Sequence, residues 1–293
     1  MPLPAADRNL RGSPSNWTRE EVRPRYGVPA IVGCFLILAL LLAVGGCRGK
    51  SDSLSHVCIA GSTSVQPFAE KLAEIFMHQH PQVRIDVQGG GSSAGIFAAS
   101  QGAAELGASS RELVAAEKNL QEIPIAWDGI AVIVHPTNPL SNIHLEEIRR
   151  IFGGQLTDWG GLGLKPHAID LITREEGSGT REAFEHLVMA KGEITPAALV
   201  QDSNGSVREI VAGDPYSIGY ISAGLVNEQV KALAIDGVLP TRENIKEQKY
   251  QLVRRFLLVS RQAPTGPCKA FIDFVLSPQG QHLLEAEGLV GMK

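Results

Sequence analysis

The chain has 293 residues, of which 44% are hydrophobic and 20% are charged. This balance is typical of a soluble globular protein with one large domain or two of ordinary size. The formal net charge is −4 at pH 7, and the N-terminal leader holds more basic than acidic side chains, so the remainder is more acidic still. Because nucleic-acid-binding proteins present a basic face, a nucleic-acid partner is not expected.

The N-terminal leader, residues 1–47, is predicted to direct the chain out of the cytoplasm. Residues 28–46 carry no charge and are long enough to span a bilayer, and the residues before them are rich in arginine. The segment ends in Val44-Gly-Gly-Cys47, which resembles the lipobox of bacterial lipoproteins, with Cys47 as the lipidation site. A cleaved lipoprotein and an uncleaved signal anchor remain open. Both place residues 48–293 outside the cytoplasmic membrane, anchored to it, in the periplasm or at the cell surface.

A short polar tether, residues 48–56, follows the leader. Beyond it the cysteines are Cys58 and Cys268, in a compartment where a disulfide can persist. They could pair, but a buried free thiol is an equal alternative for Cys58, which lies in an apolar strand. Neither cysteine has the spacing of a zinc ligand.

Strands and helices alternate after the tether. Strands are predicted near 57–60, 83–87 and 105–109. A helix containing Pro67 and ending before Pro81 carries apolar residues at helical spacing, and a second helix runs through Ile96 and Phe97. The order strand, helix, strand, helix, strand implies parallel pairing with helical crossovers.

Two long strand-like runs enclose the rest of the chain. The first, 123–134, is interrupted by Asp128-Gly129, and the second is 251–260. Between them the pattern predicts further helices and strands, and closing helices follow around Pro278. Two long strands around a middle block fit two α/β lobes joined by two crossovers.

Three times a strand ends in a loop of Gly, Ser and Thr that opens a helix, at 61–64, 89–93 and 177–180. Such loops converge at the carboxyl ends of parallel strands, where helix N-termini bind anions. Arg174 adds a permanently charged forked donor. The pattern predicts an oxyanion site. A Walker A loop is excluded because no Gly-Lys-Ser/Thr follows the glycines.

Seven motifs occur in an order that resembles the phosphate-binding subunit of bacterial ABC phosphate transporters, over about residues 57–290. They are Gly61-Ser-Thr-Ser-Val, Gly90-Gly-Ser-Ser-Ala-Gly95, Ser109-Ser-Arg111, Trp127-Asp-Gly129, Ile151-Phe-Gly-Gly154 with Trp159, Arg174-Glu-Glu-Gly-Ser-Gly-Thr180 and Ile218-Gly-Tyr-Ile221.

The resemblance implies a type II periplasmic-binding-protein fold, with lobe 1 at 57–128 and 252–293, lobe 2 at 129–251 and a ligand cleft between them. It implies capture of inorganic phosphate for an ABC importer, by a monomer without cofactor or metal. The phosphate-binding residues expected from it are Ser62, Thr63, Ser64, Ser92, Ser93, Ser110, Arg111, Asp128, Arg174, Ser178, Gly179 and Thr180.

One position departs from the family. Its best-known members have an aspartate at the position of Ser110, which accepts the proton of hydrogenphosphate. Asp128 is a candidate substitute, and a turn aspartate before Gly129 is the alternative interpretation.

Other functions remain open. Gly91-Ser-Ser-Ala-Gly95 fits the nucleophile elbow of a serine hydrolase, with Ser93 as nucleophile. The base would come from one of the histidines His144, His167, His186 and His282. This interpretation leaves Arg174 and the other two loops unexplained. A metal site at His78-Gln-His80 is less favoured than a polar helix end. Binding of sulfate or molybdate, or phosphate sensing without transport, are the alternatives within binding proteins.

Overall fold

The computed structural model describes residues 54–190 and 192–292. The leader with Cys47 lies outside the described residues, as does the tether up to residue 53. Within the described ranges, no helix combines the length and the apolar character that a membrane crossing requires.

The first part of the chain forms a parallel sheet with helical crossovers, as the sequence predicts. Strand β1 (Ser55–Gly61) pairs in parallel with β2 (Val83–Gly89) on one side and with β3 (Leu106–Ser109) on the other. Helix α1 (Gln66–Gln79) connects β1 to β2, and α2 (Ser92–Gln101) connects β2 to β3. The carboxyl ends of the three strands therefore lie along one edge.

The apolar faces of these helices decide how they pack. In α1, Phe68, Leu72 and Phe76 are buried at helical spacing, and Pro67 lies in the first turn, where its missing N–H costs nothing. In α2, Ile96 is buried, whereas Phe97 points to solvent with 67% of its surface exposed. The run of apolar residues in α2 is thus only partly a core face.

Strand β4 (Gln121–Val134) connects the two halves of the molecule. It runs without a break through Asp128 and Gly129, so the interruption expected there is wrong. Its first part pairs antiparallel with β11 (Val253–Ser260), and its last part pairs antiparallel with β8 (Ser217–Ser222). The strand order β2-β1-β3-β11-β4-β8 continues into β6 (Asp170–Arg174) and β7 (Leu199–Gln201), so the sheet runs across both halves.

The second half continues the α/β pattern. Its remaining elements are β5 (Asn142–Ile143), α3 (Leu145–Phe152), β6 (Asp170–Arg174), α4 (Gly179–Phe184), β7 (Leu199–Gln201), α5 (Asn204–Gly213), β9 (Lys231–Ala232), β10 (Ala234–Ile235) and α6 (Arg242–Lys246). Strand β6 pairs in parallel with β7 and β8. Helix α4 continues as a wider π turn over Glu185–Met189.

Separate hydrophobic cores lie on the two sides of the β4 crossing. One contains Ile59 and Phe76 and is closed by α7 (Gly266–Leu276) and α8 (Pro278–Ala286). Another contains Phe152, Phe184 and Tyr220, and the rings of Phe184 and Tyr220 stack at 4.0 Å between centroids. We call the elements around these cores the first and the second lobe. The predicted residue boundaries of the lobes stay a prediction.

Candidate functional site

Small polar side chains from both lobes meet where the strands end. Loops after β1, β2 and β3 contribute from the first lobe, and loops after β6 and β7 contribute from the second. The buried members are Ser62, Ser64, Ser92, Ser110, Arg174, Ser178, Thr180 and Asn204, each at most 2% exposed. Buried polar side chains need hydrogen-bond partners, so this concentration of hydroxyls requires either one another or a polar ligand.

Three first-lobe serines contact one another. The Ser62 hydroxyl donates to Ser110 Oγ at 2.9 Å, and the backbone N–H of Ser110 donates to Ser92 Oγ at 3.0 Å. Each serine follows a different strand of the parallel sheet. The convergence predicted for the loops at 61–64 and 89–93 is therefore present in the fold, and Ser110 joins them.

A second set of contacts joins the lobes. Ser64 Oγ lies 2.6 Å from Thr180 Oγ1, and the Asn204 amide donates to Ser64 Oγ at 2.8 Å. A Cβ atom on Gly179 would lie 2.1 Å from Ser92 Oγ, so a glycine is required where helix α4 approaches the first lobe. The two lobes thus enclose the polar side chains in a closed arrangement.

Hydrogen bonds fix the Arg174 guanidinium in place and leave its Nη1 without a partner among the described residues. Only 1% of its surface is exposed. Nε and Nη2 donate to the two carboxylate oxygens of Glu175, each at 2.9 Å, and Nη2 also reaches Thr63 Oγ1 at 3.1 Å. The buried Nη1 has no hydrogen-bond partner among the described residues. A rigid guanidinium with an unpaired buried N–H is suited to bind an oxyanion.

Ser178 caps helix α4 by accepting a hydrogen bond from the N–H of Arg181 at 3.4 Å. Gly179 and Thr180 are the first residues of the helix. The first N–H groups of a helix have no partner within it and lie at the positive end of its dipole. The helix start, which follows β6 and Arg174 in the chain, therefore supplies further donors.

Asp128 lies in the wall of this region, in strand β4, and is not a turn residue. It is 1% exposed, it accepts the Ser222 hydroxyl at 2.7 Å on Oδ1, and it forms an ion pair with Arg254 at 2.9 Å on Oδ2. Burial raises the pKa of the Asp128 carboxyl, while Arg254 and Ser222 oppose that shift. Arg254 also reaches Ser64 Oγ at 3.3 Å. Since both carboxylate oxygens already have donors, the acceptor role of Asp128 stays a prediction.

Arg111 and Ser93 belong to another cluster. Arg111 donates from Nη1 and Nη2 to the Glu117 carboxylate at 2.8 and 2.9 Å, and from Nη2 to Ser93 Oγ at 3.0 Å. Its Nε lies 2.7 Å from Glu182 Oε2, although that N–H does not point along the contact. Protein acceptors thus surround the Arg111 guanidinium, and the Ser93 hydroxyl donates to Glu182 rather than to an imidazole.

Three of the histidines considered as catalytic bases or metal ligands contact other groups. His144 bonds Asp236 at 2.8 Å, and the ring of His167 stacks on Tyr216 at 3.3 Å. His80 follows the end of α1 and stacks on Phe76. Cys58 and Cys268 are both free and half-buried. None of these contacts points to a hydrolase or to a metal site.

The structure adds Asn204, Ser222 and Arg254 to the site, which the sequence analysis missed. Asn204 starts α5 after β7, and its Oδ1 accepts the Ser222 N–H at 3.0 Å. Asn204 could have been recognised from the sequence Asp202-Ser-Asn-Gly-Ser206, which is a fourth small polar loop between a strand and a helix. Arg254 could have been recognised as a charged residue within a mainly apolar strand.

Known proteins resemble this chain in sequence and in fold. Residues 48–279 match the PBP superfamily domain. A phosphate-binding protein PstS of Bacillus subtilis is 33% identical over 238 residues, covering 78% of this chain and 78% of that protein. A phosphate ABC transporter substrate-binding protein from Clostridium perfringens, solved with bound phosphate, is 40% identical with a TM-score of 0.79, covering 82% of this chain and all of that one.

A third relative gives the same result. An ABC-type phosphate transport receptor from Vibrio cholerae is 36% identical with a TM-score of 0.68, covering 80% of this chain and 99% of that one. The match to the superfamily covers most of the chain, and the curated relative exceeds 30% identity over more than two thirds of its length. The chain therefore belongs to the PBP superfamily and, within it, to the family of PstS phosphate-binding proteins, with the type II periplasmic-binding-protein fold.

Proposed function

We propose that this protein binds inorganic phosphate outside the cytoplasm and delivers it to an ABC importer. The observation that carries the proposal is the buried Arg174 Nη1, which has no hydrogen-bond partner within the described residues, while the neighbouring Nη2 contacts Thr63 Oγ1 of the first lobe at 3.1 Å. A buried donor without a partner costs about 1–3 kcal/mol, which an anion bound at this point would recover.

The proposed ligand set comes from both lobes. From the first lobe we include Ser62, Thr63, Ser64, Ser92 and Ser110, and from the second Arg174, Ser178, Gly179, Thr180 and Asn204. Hydroxyls can donate or accept, so they can serve both the bare and the protonated oxygens of hydrogenphosphate. We leave Arg111 and Ser93 out because protein carboxylates already lie against them. Glu117 accepts hydrogen bonds from both terminal nitrogens of Arg111, Glu182 Oε2 lies 2.7 Å from Arg111 Nε, and the Ser93 hydroxyl donates to Glu182 Oε1.

The family consists of solute-binding proteins rather than enzymes, and we propose that this chain binds its ligand without transforming it. Its relatives include named phosphate transport proteins, which supports an ABC importer as the partner. Anchoring through lipid on Cys47, and a monomeric state, are parts of the same proposal.

The ligand is tested by measuring the melting temperature of the purified protein with phosphate, sulfate and molybdate at equal concentration and pH. A ligand at 100 times its Kd stabilises the folded state by about 2.7 kcal/mol. For a protein of this size that corresponds to a shift of roughly 5–10 °C. Phosphate should give the largest shift. An equal or larger shift with sulfate or molybdate would contradict phosphate as the ligand.

A further inference from the structure

The cluster around Arg111 connects the two lobes beside the ligand site. Arg111 follows β3 in the first lobe and Glu182 lies on α4 in the second, with Arg111 Nε 2.7 Å from Glu182 Oε2. Ser93 strengthens the connection, because its hydroxyl donates to Glu182 Oε1 at 3.1 Å and its N–H donates to the Gly177 carbonyl at 3.1 Å. These contacts exist only while the lobes are together.

Glu117 makes the connection reversible. It belongs to the first lobe, like Arg111, and binds the guanidinium through two parallel hydrogen bonds of 2.8 and 2.9 Å. When the lobes separate, Arg111 keeps this partner, and its charge stays compensated. Glu182 is 35% exposed even in the closed arrangement, so water can replace Arg111 as its partner on opening. Breaking the contact therefore leaves no buried charge alone.

We propose that Arg111, Glu182 and Ser93 form an interlobe latch that sets the rate of ligand release without contacting the ligand. The contacts stabilise the closed state selectively, because opening breaks the contacts of Glu182 with Ser93 and Arg111. The Arg111–Glu117 pair lies within the first lobe and is the same in both states. A contact present in only one of two conformations shifts the equilibrium toward that conformation. Arg111 is thus a positioning residue for capture, rather than the phosphate ligand that the sequence predicts.

The chain offers a matched control. Glu185 lies on the same helical segment, is 33% exposed and pairs with Arg181 at 2.8 Å, but Arg181 belongs to the same lobe. Glu182→Gln and Glu185→Gln therefore remove the same charge from similarly exposed pairs, and only the first pair crosses between the lobes.

The test, which rests on the proposed function, measures release of radiolabelled phosphate from the full-length protein during a chase with excess unlabelled phosphate. Glu182→Gln should release phosphate about two- to fivefold faster than the wild type, the range of a partly exposed ion pair, and Glu185→Gln at the wild-type rate. Equal rates in all three proteins would overturn the latch.

A double-mutant cycle separates a latch from direct ligand contact. If Arg111 acts through Glu182, Arg111→Gln should accelerate release in the wild type and add little in the Glu182→Gln background. If Arg111 contacts phosphate, its effect will persist undiminished in that background, and the proposal fails. Absence of phosphate binding by the wild type would instead refute the proposed function. The same chase with the oxyanion that gives the largest melting shift would then decide on the latch.

Discussion

Replacing Arg174 by Met should weaken phosphate binding more than the removal of any single hydroxyl. The buried Nη1 has no protein partner among the described residues, so its hydrogen bond to the anion would be its first. A hydrogen bond to a charged group contributes about 1.5–3 kcal/mol, and 1.4 kcal/mol corresponds to a factor of ten in Kd. We therefore expect Kd to rise by about ten- to hundredfold.

Glu175 adds to this effect. Its carboxylate receives two hydrogen bonds of 2.9 Å from Arg174, and Met would leave it without them beside the bound anion. The double variant Arg174→Met/Glu175→Gln separates the two contributions, because it removes the repulsion and keeps the loss of the donor. It should bind more tightly than Arg174→Met alone and more weakly than the wild type.

The assay is isothermal titration calorimetry with phosphate, after the melting temperature of each variant has shown that it is folded. Arg174→Lys keeps the charge without the fork and should lie between the wild type and Arg174→Met. Arg150→Met removes the same charge from an exposed arginine on α3 that takes no part in these contacts, and this variant should bind normally. If folded Arg174→Met binds phosphate within about twofold of the wild type, a difference below 0.5 kcal/mol, Arg174 is not in the site.

Two further predictions concern selectivity and anchoring. Asp128→Asn should narrow the preference for phosphate over sulfate, because the amide can turn an N–H toward an unprotonated oxygen. Titrations of both proteins with phosphate and with sulfate at one pH measure the ratio of the two Kd values. If this ratio is the same in the variant and the wild type, Asp128 is not the acceptor. Cys47→Ser should abolish acylation and leave an uncleaved precursor; mass spectrometry that finds unmodified Cys47 within an intact N-terminus of the wild type would favour the signal anchor instead.

The sequence predicted the fold through features that are local. Strands that alternate with amphipathic helices imply parallel pairing, and the crossing from one lobe to the other follows from the length of β4. The break expected at Asp128-Gly129 was wrong because this aspartate does not turn the chain. It is ion-paired with Arg254, 126 residues away in sequence, and that contact lets a charged residue remain inside a continuous strand.

The sequence predicted those parts of the site that share one pattern, in which a strand ends in a loop of small polar residues. Ser62, Ser92 and Ser110 lie together because each follows a strand of the same parallel sheet. The sequence pattern could not show which arginine has a donor available for a bound anion. Arg111 follows β3 and Arg174 ends β6, and each keeps one buried nitrogen without a hydrogen bond. The difference is that Glu117 and Glu182 both lie against Arg111, with Glu182 Oε2 2.7 Å from the unpaired Nε, whereas the ion pair of Arg174 with Glu175 leaves Nη1 unpaired. That difference depends on side chains from distant segments.

The charges of the site explain how an acidic protein can bind an anion. Arg174 is paired with Glu175 and Arg254 with Asp128, so each buried cation of the site already has a carboxylate beside it. The full chain also has a net charge of −4, so the long-range field does not attract phosphate. Binding must therefore depend on donors fixed at short range: the Arg174 Nη1, the first N–H groups of α4 and the converging hydroxyls. Donors of this kind are effective only when both lobes surround the ligand and exclude water, because a low local dielectric strengthens each hydrogen bond. The free energy of phosphate binding therefore depends on closure of the lobes as well as on the contacts to the anion.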